Sequence, residues 1–365
     1  MSDAGGGRPR TRVVVLFGGQ SGEHDVSLRS AQTVIGALDP ERYDVRAVGI
    51  TRDGRWLTTG DPMRALTADS PFFALPARSD DDHADPVEAL PPEAAMTVLS
   101  GEAVDVVVPV LHGPMGEDGT VQGLLELAGL PYVGSGVLGS AVAMDKAMAK
   151  HVLAQAGIEQ APWRLVTRRD WDLAPETVAG DLGEALGYPC FVKPANMGSS
   201  VGVSKVHGPE ELAGAMASAL HHDRRVVVER NVAGRELEIA VLGNDEPIAS
   251  VAGEIVPAGE FYSYEAKYVD DDSELIIPAE LPAGTLDEMR AIAVQAFLAL
   301  DLAGLARVDF FLEHGNGRLL LNEVNTLPGF TSISMFPMLW AASGIPLAEL
   351  VERLVELALE RAHRG

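Results

Sequence analysis

The chain has 365 residues, is 47% hydrophobic and carries a formal net charge of −25, which is enough length for two or three domains with separate cores. So acidic a surface repels nucleic acid and anionic lipid, so a phosphorylated ligand would need a local pocket of backbone N–H groups, Lys, Arg and metal. Its one cysteine, Cys190, rules out an internal disulfide, and no window reaches the roughly 18 apolar residues of a membrane span, which together predict a soluble cytoplasmic protein.

Residues 1–11, with three consecutive glycines, read as a disordered start. The apolar run Val13 to Phe17 is too short for a signal peptide and ends in glycines, as a buried strand does before a turn. "SLRSAQTVIGAL" then reads as a helix and "YDVRAVGI" as a second strand, a βαβ unit. "AVDVVVPVLHG" is a further strand, and "GTVQGLLELAGLPYVG" a helix running into another. These elements predict an open parallel α/β domain over 12–140. Within it, residues 69–96, rich in Pro, Ala and acid, read as a solvated insertion loop.

From "VAMDKAMAKHVLAQAGI" onward the pattern is mixed. "YPCFVKPANMGSSVGVSKV" reads as strand, Gly/Ser loop, strand, and "VVVERNVAGRELEIAVL" as a repeat of that form. Helix candidates "TLDEMRAIAVQAFLALDL" and "PLAELVERLVELALERAHR" flank a hairpin, "RVDFFLEHGNGRLLLNEVN". Two α+β lobes, 141–229 and 230–365, are predicted to follow the α/β domain.

That hairpin carries the sharpest chemical signal. A three-residue turn at Gly315, Asn316 and Gly317 would set Asp309 opposite Glu323 and Arg307 opposite Asn325, all on one face, with Val308, Phe310 and Val324 on the other. Facing carboxylates repel unless something positive lies between them, and hard oxygen donors suit Mg²⁺ or Mn²⁺. An exposed polar face with Arg307 neutralising Asp309 is the alternative.

Other stretches carry weaker signals. The loop after Lys193, "KPANMGSSVG", could offer successive N–H groups to phosphate oxygens, or be an ordinary hairpin turn; it is not a P-loop, because the Lys precedes the glycines and a strand follows. Glu229 and Glu236 flank an Ala233-Gly234 turn, where they could hold an adenine amino group or ribose hydroxyls, or lie on the surface. Glu23 and His24 stand at a strand-to-helix turn suited to an amino acid's carboxylate and ammonium. "EFYSYEAKYVDDDSELIIPAEL" is a long non-periodic stretch with clustered tyrosines, as in a functional lid, and Ser332 and Ser334 follow a Pro-Gly turn. Gly134 to Gly139 match G-x-G-x-x-G, but Glu159, at the distance of a ribose-binding acid, follows no clear strand. The motif therefore reads as helix entry ahead of a NAD site.

Taken in order, "GGQSGEHDVS", "LHGPMGEDG", "MDK", "FVKPANMGSSVGVSKV", "YEAKY", "RVDFFLE…LLLNEVNTLPG" and "TSISMFP" resemble the D-alanine:D-alanine ligases of the ATP-grasp superfamily, from about residue 12 to about 360. The resemblance implies a two-lobed ATP-grasp domain behind the α/β domain, and ATP-dependent ligation of two D-alanines through an acyl phosphate, for peptidoglycan precursor synthesis. It further implies Lys146, Lys193 and Ser200 at the ATP phosphates, and Glu229, Arg230, Val232 and Glu236 at adenosine. Asp309, Glu323 and Asn325 would hold two Mg²⁺ or Mn²⁺ ions. Glu23, supported by Ser199 and Tyr268, and His112 would hold the first D-alanine, with Lys267 at the transferred phosphoryl group. Arg307 and the Gly329 N–H would face the tetrahedral oxyanion, and Ser334 with Met335 the second carboxylate. A homodimer is also implied. Arg230 stands where Lys is expected, Met335 where Leu is usual, and Met197 at a variable position. The nearest alternative is a D-alanine:D-lactate ligase, which Tyr268 argues against; a NAD-dependent oxidoreductase built on Gly134 to Gly139 is more distant.

Overall fold

A computed structural model describes residues 9–68, 87–101, 104–257, 274–331 and 333–364. Its strands form three sheets. The first sheet contains β1 (Thr11–Gly18), β2 (Tyr43–Ile50), β3 (Trp56–Leu57), β4 (Ala89–Leu90) and β5 (Val106–Val110), in the order β4-β3-β2-β1-β5. β1 is parallel to β2 and β5, as the βαβ reading requires, with α1 (His24–Ala37) as the crossover.

Four expectations need correction here. The β2–β3 and β3–β4 pairings are antiparallel, so the sheet is mixed rather than purely parallel. Residues 87–96, assigned to the insertion loop, supply β4 and the start of a helix, α3 (Pro92–Gly101), because Ala95 and Met96 bury apolar surface against the sheet. The strand expected after α4 (Thr120–Leu127) is a single bridge from Tyr132 to Val107. Thr11, placed in the disordered start, opens β1.

Strand alternation explains the packing of this sheet. Val13, Val15 and Phe17 face one core while Val14 and Leu16 face another, with Trp56, Leu99 and Leu125. The first of these cores also takes in Leu350, Val351, Leu354 and Val355 of the last helix, Leu347–Arg364. Arg361 on that helix lies over the Tyr132 ring, 4.4 Å to its centroid, and donates to the carbonyls of Gly134 and Tyr132.

The second sheet, order β6-β9-β7-β8, comprises β6 (Trp163–Thr167), β7 (Cys190–Pro194), β8 (Ser204–Val206) and β9 (Arg225–Arg230). The third, order β12-β11-β10-β13-β14, comprises β10 (Gly234–Gly243), β11 (Ile248–Val256), β12 (Glu274–Ile276), β13 (Gly304–Glu313) and β14 (Leu319–Asn325). "VVVERNVAGRELEIAVL" is strand, loop, strand as expected, and β9 and β10 belong to different sheets, so residues 231–233 cross between them beside the boundary expected at 229/230.

The hairpin of β13 and β14 pairs Asp309 with Glu323 and Arg307 with Asn325, as the sequence predicts, but by another route. Glu313 bonds to Arg318 across a four-residue tip, 314–317, rather than a three-residue one. Phe310 pairs with Leu321, and Asn322 is the extra residue of a β-bulge. Val308, Phe310 and Val324 lie in the core beneath, with Leu237 and Ile239 of β10.

The Gly134 to Gly139 motif serves packing. A Cβ on Gly139 would meet the Asp301 carbonyl oxygen at 2.4 Å, and Gly304 lies against the backbone of Gly134, so these glycines let chain segments touch. Glu159 pairs with Arg318 at 3.0 Å on the surface.

Candidate active site

Every described residue to which the resemblance gave a role lines one cavity of about 620 Å³, whereas His24 does not: it is buried, with Nδ1 on the Gly19 carbonyl at 2.7 Å. The cavity walls are the second sheet, the third sheet and the turns that follow β1 and β5 of the first. Tyr268, Lys267 and Ser332 lie outside the described residues.

On the second sheet, Cys190 and Val192 of β7 and Val226 and Val228 of β9 point into the core, which leaves Phe191, Lys193, Val227 and Glu229 on the cavity side. Cys190 is sealed in that core, and burial pushes its thiol up to about 11, so it is no nucleophile. Glu229 is buried and receives two lysines: Lys193 Nζ at 3.1 Å on one oxygen and Lys150 Nζ at 3.3 Å on the other. Burial alone would raise the Glu229 carboxyl, but the two ammonium groups outweigh it and hold it below the usual carboxylate range. Lys150 is shifted down, chiefly by its burial.

"MDK" explains how two lysines reach this wall. Asp145 caps α6 (Lys146–Gln155) by accepting from the Met148 N–H, and it pairs with Arg225 of β9. Lys146 and Lys150 then lie one turn apart on one helix face. Lys146 Nζ donates to the Met197 carbonyl at 2.5 Å, in the loop after β7. That loop holds Ser199 and Ser200 in left-handed conformations, φ 47° and 58°, a strained backbone for residues with a side chain. Ser199 Oγ donates to Glu23 Oε1, so the loop tip is latched onto the turn after β1. Ser200, Val232 and Glu236 line the cavity as well, and Arg230, half-buried, reaches Glu313 only at 3.8 Å.

On the third sheet, Glu238 of β10, Asp309 of β13 and Glu323 of β14 are direct neighbours across three strands, a row of carboxylates. Arg307 forks Asp309 with two bonds of 2.8 Å and places Nε 2.9 Å from Glu238. Burial would lower the guanidinium, yet Asp309, Glu238 and Glu323 raise it well above its ordinary value. Asn325 donates to Asp309 at 3.0 Å. Two acids and an amide oxygen, all hard donors, fit a divalent ion of the Mg²⁺ class.

At the end near the first sheet, His112 donates through Nδ1 to the Leu327 carbonyl at 2.9 Å and has Glu117 at 3.7 Å. Burial disfavours its charged form, but the nearby carboxylates of Glu117 and Glu23 prevail, so His112 is shifted up. Ser334 precedes the helix Met335–Ala342 without bonding to its free amides, and its hydroxyl accepts from the Thr331 N–H at 3.0 Å. A Cβ on Gly329 would approach Ser334 Oγ to 2.8 Å, which fixes glycine beside that helix start. The Met335 methyl occupies the space left by Gly253, where a Cβ would come within 2.4 Å.

Sequence reading missed Lys150, Glu238 and Glu117, all of which line the cavity. The spacing Lys146 to Lys150 on a helix and the alternation Glu236, Glu238 on a strand put the first two on the face of an expected site residue, but neither spacing says that the face is buried. Asn322, whose Oδ1 is buried without a partner among the described residues, was not separable from its neighbours without the bulge.

Two family profiles match the chain: D-ala D-ala ligase N-terminus over residues 12–135 and D-ala D-ala ligase C-terminus over 152–356. The chain belongs to the D-alanine:D-alanine ligase family. A D-alanine-D-alanine ligase of Geobacillus thermodenitrificans is 51% identical over 358 residues, covering 96% of each chain. One from Deinococcus radiodurans is 51% identical over 353 residues, 96% of this chain and 99% of that one. Among solved structures, the D-alanine-D-alanine ligase of Coxiella burnetii aligns with a TM-score of 0.80 at 37% identity, covering 97% of this chain and 95% of its own. The VanG D-Ala:D-Ser ligase of Enterococcus faecalis aligns at 0.78 and 34%, covering 96% and 100%. The fold is that of the ATP-grasp ligases.

Proposed function

We propose that this enzyme joins two D-alanine molecules, with ATP as the energy source, through D-alanyl phosphate. The observation that carries the reading is the polarity of the one cavity: lysines 146, 150 and 193 on one wall, and the row Glu238, Asp309 and Glu323 on the facing one. A polyphosphate with its counter-cations fits between walls of opposite sign. Relatives about half identical over nearly the whole chain carry the same name.

In this reading Lys146, Lys193 and Ser200 bind phosphate oxygens, while Glu229, the Arg230 backbone, Val232 and Glu236 hold adenosine. Asp309, Glu323 and Asn325 would hold two Mg²⁺ or Mn²⁺ ions, whose chemistry is to neutralise charge on the transferring phosphoryl group. Glu23 holds the first ammonium beside His112, and Ser199 fastens the loop over it. A carboxylate oxygen of this D-alanine attacks the γ-phosphorus, the bond to ADP breaks, and D-alanyl phosphate forms. The second D-alanine, its carboxylate at Ser334 and Met335, attacks the acyl carbonyl with its amine. The tetrahedral oxyanion faces Arg307 and the Gly329 N–H, then collapses with loss of phosphate, and the new amide nitrogen gives up a proton. Tyr268 and Lys267 keep the roles the resemblance gives them.

The division into 12–140, 141–229 and 230–365 belongs to the same proposal, supported by sheets whose strands fall in 11–110, 163–230 and 234–325. So do a cytoplasmic location and a homodimer; among the described residues no helix is long and apolar enough to cross a membrane.

The test is phosphate release from ATP and Mg²⁺ with D-alanine alone, then with D-lactate or D-serine added, and the product identified by mass. D-Alanyl-D-alanine in step with phosphate is expected. A depsipeptide or a mixed D-alanyl-D-serine product as the main species would move the substrate assignment, and no phosphate release would sink the reading.

A further inference from the structure

Arg307 is bound twice. Its Nε lies 2.8 Å from Asp309 Oδ1 and 2.9 Å from Glu238 Oε2, and its Nη2 lies 2.8 Å from Asp309 Oδ2. The Asn325 amide also donates to Asp309 Oδ2. Both oxygens of Asp309 are therefore engaged by cationic or amide N–H groups. A divalent ion cannot settle on this carboxylate while a guanidinium stays forked to it, because two cations would then share one small anion in a partly dry site. Arg307 must give way when the ion arrives. Its side chain is only 17% exposed, so water cannot take over the solvation of a released guanidinium.

Glu238 supplies the alternative partner. It is more deeply buried than Arg307, 6% exposed, and stands directly opposite Asp309 on the neighbouring strand. We propose that Glu238 is a positioning residue that retains Arg307 when a divalent ion takes Asp309, so that the guanidinium shifts from one acid to its neighbour without losing a charged partner. This rests on the metal-platform reading above. Glu238 touches neither metal nor substrate in this account; it acts through Arg307. The same retention leaves Arg307 at the cavity wall, near where the oxyanion forms, instead of locked onto a metal ligand.

Two measurements test it. In a crystal structure of the enzyme with Mn²⁺ and a non-hydrolysable ATP analogue, Arg307 should keep its contact with Glu238 and lose the fork on Asp309; an intact fork, or an Arg307 that leaves both acids, would overturn the proposal. The second follows Mn²⁺ titrated into enzyme saturated with the same analogue, with free ion read by electron paramagnetic resonance. Glu238→Gln should raise the half-saturating Mn²⁺ about tenfold, equivalent to about 1.4 kcal/mol. Glu238→Asp keeps the charge but shortens the reach, and it should show most of the same loss, with both variants melting close to the parent. An Asp variant binding Mn²⁺ like the parent would mean that charge at a distance, not contact with Arg307, is what matters, and the proposal would fall. The parent enzyme and Glu323→Gln separate the two levels. If the parent binds no Mn²⁺, the metal reading falls and takes this inference with it; if it binds and Glu323→Gln does not, the metal reading stands and the inference is judged alone.

Discussion

The two walls of the cleft solve one problem with opposite signs. On the second sheet a buried acid, Glu229, is shared by two bases, Lys150 and Lys193. On the third a buried base, Arg307, is shared by two acids, Glu238 and Asp309. In each group one member of the like-charged pair is the more deeply buried, Lys150 behind Lys193 and Glu238 behind Asp309. A buried ion pair that loses a partner strands a charge at a cost of roughly 3–5 kcal/mol. A third ion keeps that from happening when a ligand draws one member away. The trios also leave net positive charge on one wall and, with Glu323, net negative charge on the other, an arrangement that neither wall could keep if every charge were paired off.

Substitutions can break or sharpen this comparison. Glu323→Gln removes a cation-facing acid that is not part of a shared trio, and it should reduce turnover by about a thousandfold or more with an unchanged melting temperature. Normal turnover would deny the third sheet its role. Glu229→Gln should act differently, because two buried ammonium groups would then face one another. We expect a stability loss of roughly 3–5 kcal/mol in denaturant unfolding and a higher KM for ATP. A variant as stable as the parent would mean the lysines are not held by that acid.

Lys150→Met keeps the volume and removes the rear base. The expected result is about a tenfold rise in the KM for ATP, about 1.4 kcal/mol, with kcat within about twofold, since Lys193 must then serve Glu229 and the phosphates at once. A fall in kcat at unchanged KM would put Lys150 in the chemistry instead. His112, beside Glu23 and Glu117, is a second case of one base between acids, and the effect there should be smallest. Its folded pKa lies above the unfolded value of about 6.5, so its contribution is fully present below about pH 6.5 and disappears as pH rises through the raised value. The stability difference between parent and His112→Asn should therefore shrink between about pH 6 and 9, and a difference that grew with pH would reverse the assignment.

What could be read from the sequence was what repeats. Period-two alternation put Asp309 and Glu323 on one face and Val308 and Phe310 on the other. A three-residue tip and a four-residue tip with a bulge at Asn322 farther down the strand reach the same pairing, which is why the pair was legible although its turn was not. Glu238 escaped because a lone glutamate in a strand looks like surface until its neighbour strand is known, and strand order is a long-range property. Residues 87–96 were taken for solvated loop because their acid and proline content outweighed the few apolar side chains that fix them to the first sheet. Lys150 sat in a recognised helix, but nothing local told its buried face from its wet one.

Strand β1 buries Val13, Val15 and Phe17 in the core that also holds Leu350, Leu354 and Val355 of the last helix. A chain made from its N-terminus writes one half of this core long before the other. Until the helix Leu347–Arg364 has emerged, the first sheet keeps an apolar face uncovered, and the turns carrying Glu23 and His112 rest on an unfinished support. Assembly of the cleft is thereby deferred until that helix is made, so chains cut short before about residue 350 would present sticky, inactive sheets rather than weakened enzymes.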